Sequence, residues 1–207
     1  MAKKSFSLIE IIFSITIIAL ISSQILHKNT FSNLQLAANK IVVHLKFTRY
    51  TAMLDNKYNQ NDDFWFRERW TMKFQNCSKK IGGIYYVIYS DKNHGGGINK
   101  IETLKDPLTN KYLYSNYDCK ASIDESKYIL LTKEYGVTNI DISCNSTSTN
   151  GQITFDHNGI AYSRISTKSD QEDKYKIKKR CSIKLYDIDN NTQTIVIEGN
   201  TGYIHKL

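Results

Sequence analysis

A run of 21 residues from Phe6 to Leu26 carries a single ionisable side chain, Glu10, and constrains this chain more than any other feature. As a helix it would measure about 31 Å, close to the thickness of a bilayer core. Lys3 and Lys4 precede it, and under a membrane reading they stay cytoplasmic while the rest is exported. A cleaved signal peptide, a plain anchor and an assembly helix all fit the apolar length, and "ALISSQ" offers small residues for a signal-peptide cut. Glu10 separates them. A carboxylate within such a helix costs roughly 2.5–3.5 kcal/mol on insertion scales, less near the end. Neither a signal peptide nor a plain anchor has a use for it. The cost makes sense if a positive partner arrives, such as an α-amino group made by cutting before Phe6 on a neighbouring subunit.

The rest of the chain reads as folded and exported. It has 207 residues and a net charge of +8, with 14 Tyr, 8 Phe and 2 Trp but one proline, Pro107. A basic balance favours acidic partners only weakly. Cys77, Cys119, Cys144 and Cys181 all follow the apolar run and make no C-x-x-C pair. Widely spaced, even-numbered cysteines after an export signal imply two disulfides in an oxidising compartment. Loop entropy does not choose among the three pairings; chain locality favours Cys77–Cys119 and Cys144–Cys181.

From Asn33 to Asn56 no Pro or Gly interrupts the sequence, and apolar residues recur at helical spacing. One stripe runs Leu34, Ala38, Ile41, Leu45, Ala52 and a second Leu36, Val43, Phe47, Tyr50, Leu54. Either the helix packs on its own domain with one stripe and on neighbours with the other, or both belong to one wide buried face. His27, Lys28 and Asn29 mark the exit from lipid. Beyond residue 56 the pattern turns to strands. "FWFRERWTMKF" alternates from Phe64 to Phe74, with Arg67, Arg69, Thr71 and Lys73 on the polar side and Glu68 breaking the apolar one. Residues 83–90 and 127–135 are further strand candidates, and 91–112 reads as a long loop. Asn158-Gly159 turns one hairpin and Asp189-Asn190-Asn191 another, before a short last strand in "TGYIHKL".

"KKSFSLIEIIFSI" resembles the class III signal of type IV pilins and type II secretion pseudopilins. In that family a prepilin peptidase removes a basic leader, the new N-terminus is methylated, and the glutamate is the fifth mature residue. The resemblance implies cleavage between Ser5 and Phe6, N-methylation of Phe6 and an assembly role for Glu10; the usual glycine before the cut is replaced by Ser5. "ITFDHNGIAYS" and the closing "IEGNTGYIHKL" are similar to the end of the GspH/FimT group of minor pseudopilins and minor pilins, through Phe155, Gly159, Thr201 and Gly202. Arg49 and Ala52 match that group's Arg-x-x-Ala stretch.

The implied fold is α+β: a long N-terminal helix, transmembrane over 6–26 and amphipathic over 27–56, packed on an antiparallel β-sheet domain over 57–207, with residues 1–5 as leader. The implied function is a minor pseudopilin that initiates or caps a periplasmic pseudopilus of a type II secretion system. It would be a single-pass inner-membrane protein with its C-terminal domain in the periplasm. Its partners would be other pseudopilins or pilins, the peptidase and an inner-membrane assembly platform. The alternative is a FimT-like minor pilin capturing DNA for uptake.

Motifs for chemistry are missing from the sequence. No two histidines have metal-ligand spacing, and "HGGG" at 94–97 has no accompanying nucleophile elbow. No phosphate-cradling glycine motif occurs. "DIDNN" at 187–191 reads as a hairpin turn ahead of a Ca²⁺ loop. No catalytic residue, cofactor or metal is therefore expected. The densest positive run, Lys174, Lys176, Lys178, Lys179 and Arg180, is either a lysine-protected edge strand or the DNA-binding surface of the alternative, with Tyr175 stacking on a base. The basic leader and the "FSLIE" run make a direct prediction: intact-mass analysis of the mature chain should place its N-terminus at Phe6, methylated. A start beyond Ser22 would instead mark an ordinary signal peptide.

Overall fold

The computed structural model describes residues 8–27 and 32–207 except 146 and 148, the backbone alone for 21–27. The leader, Ser5 and Phe6 lie outside the described residues, as do Lys28 and Asn29. Residues up to Ser32 form one compact unit and Asn33–Leu207 a second.

The single long helix expected from the sequence is not there. Helix α1 spans Leu8–His27 and a separate helix α2 spans Asn33–Leu54. Among the described residues no helix is long and apolar enough to cross a membrane, so a single-pass placement has no support from the structure. The physical reason is in the sequence. Ser32 has a side chain that competes for backbone hydrogen bonds and favours helix boundaries; it is non-helical, and α2 starts directly after it. Within α1 the hydroxyls of Ser14 and Thr16 donate to the carbonyls of Glu10 and Ile12, so these polar groups are satisfied inside the helix.

Two antiparallel sheets pack on α2. The first has the order β2-β1-β4-β5, from Ile84–Tyr89, Trp70–Asn76, Gln152–Phe155 and Ala161–Tyr162. The second has the order β3-β6-β7-β8, from Asn139–Ile142, Cys181–Tyr186, Thr192–Ile197 and Ile204–Lys206. Helix α2 contacts β1 and β4 of one sheet and β6, β7 and β8 of the other. Its Leu34, Ala38, Ile41, Leu45 and Ala52 are buried against them. The first stripe is thus the core face, and the small Ala37 and Ala38 let the sheets approach the helix axis.

Several strand expectations fail for identifiable reasons. Residues Trp65–Glu68 form a 3₁₀ turn, and β1 begins only at Trp70. Glu68, which broke the alternation, sits where there is no strand. Arg69 and Thr71, expected outward, are buried: Arg69 stacks 4.2 Å from the Tyr162 ring centroid and donates to the Glu172 carbonyl, because the 164–177 segment covers that side. Residues 127–135 fold as a 3₁₀ turn, Lys127–Ile129, and a short helix α3, Leu131–Tyr135. A short apolar run does not distinguish strand from helix, and here Gly136 in the left-handed region closes the helix. The basic run 174–180 is not a strand either; it touches β5 through a single bridge, Tyr162 with Lys176.

The hairpin turns follow their chemistry. The Asp156 carboxylate accepts from the amides of Asn158 and Ile160. The Asp187 carboxylate accepts from Asp189, Asn191 and the Asn191 side chain, occupying the oxygens a Ca²⁺ loop would offer. Disulfides join Cys77 to Cys119 and Cys144 to Cys181, across 42 and 37 residues. Each is worth roughly 4 kcal/mol in the chain-entropy account. The first ties the end of β1 to the long connection that follows β2, which runs past residue 112 to Ser126, and the second ties the segment after β3 to the start of β6. The loop's other side closes the β2 edge, where the Leu104 amide donates to Ile88 and the Ile88 amide to Leu113.

That loop is fastened to α2 by a buried polar group. His44 Nδ1 lies 2.7 Å from the Tyr86 hydroxyl, and its Nε2 lies 3.6 Å from Asp106, which also faces Lys40 at 3.6 Å. Burial, reinforced by Lys40 and opposed by Asp106, lowers the His44 pKa from 6.5 to about 4. Despite the desolvation that works the other way, Asp106 is held below its ordinary value by backbone amides, Lys40 and His44. The fold therefore holds His44 neutral, while the unfolded chain takes up a proton below its unfolded pKa. Stability should be fully present at neutral pH and fall by roughly 3 kcal/mol as pH drops from about 6.5 to about 4, with a further loss in stronger acid as Asp106 protonates. Urea midpoints measured across this range should show the slope, and His44→Gln should flatten it.

Candidate functional site

Arg49, Gly159, Thr201 and Gly202 lie far apart in sequence and meet at one joint. Arg49 projects from α2. Its Nε–H donates to the Gly159 carbonyl at 2.9 Å and its Nη2 to the Thr201 carbonyl at 3.1 Å. Gly159 is in the β4–β5 turn of the first sheet and Thr201 in the β7–β8 turn of the second. One planar guanidinium thus bridges helix and both sheets, a geometry that lysine cannot reproduce. Gly202 is buried against the same turn: any Cβ there would overlap the Gly159 carbonyl oxygen, and its backbone lies at φ 63. Ala52, one turn beyond Arg49, is buried, as is Phe155 at the start of the turn.

The opposite side of α2 faces solvent. Leu36, Val43, Tyr50 and Leu54 of the second stripe are 42%, 50%, 59% and 68% exposed, and Phe47 is half-buried. The two expected faces of this helix therefore divide, one into the core and one outward. Met53 is also exposed, off the stripe. In α1 the described side chains from Leu8 to Leu20 are all exposed, Glu10 among them.

The basic run has mixed surroundings. Lys174, Lys178, Lys179 and Arg180 are exposed and Lys176 is half-buried. Arg180 pairs with Glu198 at 3.0 Å, and Lys174 donates to Gln171. Arg164 and Lys174 both lie over the Tyr175 ring, at 4.9 and 5.5 Å. Asp170, Glu172 and Asp173 precede the run directly. The structure brings these basic residues onto one segment, but couples part of their charge to acids and covers the ring expected to stack.

Sequence reasoning missed the His44–Tyr86–Asp106 group, because three residues 20 to 62 positions apart follow no motif; its one signal was a histidine on the core face of a helix. Comparison with protein-family models, with curated proteins and with solved structures finds no match to this chain.

Arg49→Ala should lower stability by about 2 kcal/mol, since two charge-assisted hydrogen bonds are lost, and Arg49→Lys should recover little of it. Gly202→Ala should cost more, about 3 kcal/mol or beyond, from the collision and the left-handed backbone. Denaturant unfolding of the three variants beside the parent checks both.

Proposed function

We propose that this chain is a structural subunit of a pilin-like filament, a minor pseudopilin of the GspH/FimT kind that works through helix packing. The observation that carries this reading is the Arg49 joint. Arg49, Gly159, Thr201 and Gly202 each carry part of the resemblance, and they are joined through the Arg49 guanidinium and the Gly159–Gly202 contact. The exposed stripe on α2 adds to it. A contiguous apolar face on a helix whose other side is already buried marks an interaction surface. Its spacing of seven from Leu36 to Val43 to Tyr50 suits a second helix lying along it. The apolar α1 of another subunit, with its described side chains exposed, is the occupant of matching chemistry.

The two disulfides support an oxidising, extracytoplasmic location for the β domain, the periplasm in this reading. The partners are other pilin-like subunits, a prepilin peptidase acting before Phe6 and a platform that feeds subunits into the filament. Within it Glu10 would answer the α-amino group of a neighbour. DNA capture is the weaker reading, because Arg180 is paired and acids border the basic run.

A photo-reactive residue placed at Val43 or Tyr50 in cells should cross-link to a pilin-like subunit of the same filament. Glu10→Ala should keep the β domain folded while reducing incorporation at least about tenfold, equivalent to about 1.4 kcal/mol of association free energy. Incorporation at the parent level, with no subunit captured from either position, would remove the assembly reading. Salt-sensitive DNA binding by that same chain would then revive the alternative.

A further inference from the structure

We propose that Asp62, Glu68 and His94 form a binding site for a divalent transition-metal ion of the zinc class. Among the described residues this is the one place where three such side chains bring ligand atoms within 4.8 Å of one another. His94 Nε2 lies 3.4 Å from Glu68 Oε1 and 3.8 Å from Asp62 Oδ2. It is shielded from solvent and makes no hydrogen bond.

Those distances argue for an ion between the groups. A protonated imidazole pairing directly with a carboxylate would sit at about 2.7–2.9 Å. Two ligands each about 2.1 Å from a tetrahedral zinc ion lie about 3.4 Å apart. The His94–Glu68 separation of 3.4 Å matches the second spacing, and the His94–Asp62 separation of 3.8 Å is within reach of it by a small rotation of a partly exposed carboxylate. Charge matches too: two carboxylates and a neutral imidazole offset a divalent cation. The nitrogen donor selects the zinc class over calcium and magnesium, which take oxygen ligands. The side chains are 25–30% exposed, leaving room for water as a further ligand.

The Asp62 carboxylate is already oriented, and the backbone that carries the other two ligands is held in place. Asp62 Oδ1 accepts from the Phe64 amide at 2.8 Å, which leaves Oδ2 turned to His94. Glu68 ends the 3₁₀ turn, and its carbonyl accepts from the Ser90 hydroxyl at 2.6 Å. His94 is held in the left-handed region at φ 54, and its carbonyl accepts from Arg67 Nη2 at 2.6 Å. An ion here would staple the 91–97 loop to the segment leading into β1. The site uses no residue of α2 and does not rest on the assembly reading.

The test uses the full chain without a histidine tag, stripped with chelator and titrated with Zn²⁺ by calorimetry and with Co²⁺ by visible absorption. One equivalent of Zn²⁺ should bind and raise the melting temperature, and Co²⁺ should give the visible band of a low-symmetry site. His94→Gln and Asp62→Asn should each weaken binding at least about tenfold. His205→Gln, which breaks a separate, partly exposed imidazole–carboxylate pair at Glu198, should leave it unchanged. If His94→Gln does not fold by circular dichroism, Glu68→Gln decides in its place. No binding up to millimolar Zn²⁺, binding that survives loss of the ligands, or binding that moves with His205 would each overturn the site.

Discussion

One guanidinium ties the long helix of the β domain to both of its sheets. Arg49 reaches from the last turns of α2 to the carbonyls of two turns, one from each sheet. Among the described residues the two sheets share no strand, so their mutual placement depends on what both touch. The core face of α2 supplies the area, which is non-directional. Arg49 supplies the angle. Gly202 permits it, because only a residue without a side chain lets the second turn press against the first. The buried His44 is a second fixed point on the helix: its ring bonds the Tyr86 hydroxyl of β2 and faces Asp106 of the long loop at 3.6 Å.

Much of this was legible in the sequence where one local rule decided the outcome. The stripe from Leu34 to Ala52 could bury only one way on a helix. Asn158-Gly159 and Asp187 to Asn191 carried turn chemistry strong enough to locate both hairpins. The failures came where tertiary contacts outvote local pattern. Residues 127–135 are apolar enough for a strand, yet Gly136 and the packing of Leu131 make them helical. Arg69 alternates as an outward residue and is buried because a distant segment supplies Tyr162. Strand β3 is four residues long, and its alternation is too brief to stand out. The N-terminal helix differs from its expectation: the sequence reads as one long helix, and the described residues form two, α1 ending at His27 and α2 starting at Asn33.

The sites divide in the same way. Arg49, Gly159, Thr201 and Gly202 were visible through resemblance, since each sits in a short recognisable stretch. Asp62, Glu68 and His94 were not. Their spacing of 6 and 26 residues matches no ligand motif, and only the left-handed turn at His94 swings the imidazole between the two carboxylates. Sequence spacing reports ligands on one helix or hairpin; it is blind to a site assembled by a loop.

The closed margins of the first sheet limit how copies of this molecule can join. Leu104 and Leu113 occupy the backbone of β2, and the 175–177 segment occupies that of β5, through the Ser163 amide to Tyr175 and the Ile177 amide to Ala161. The outer strands of the second sheet, β3 and β8, offer four and three residues. Little main chain is left to template an incoming strand. A molecule built this way resists the runaway edge-to-edge stacking that turns β-rich domains into amyloid. Any ordered polymer it forms must then be written in side chains, where single substitutions can tune or abolish it.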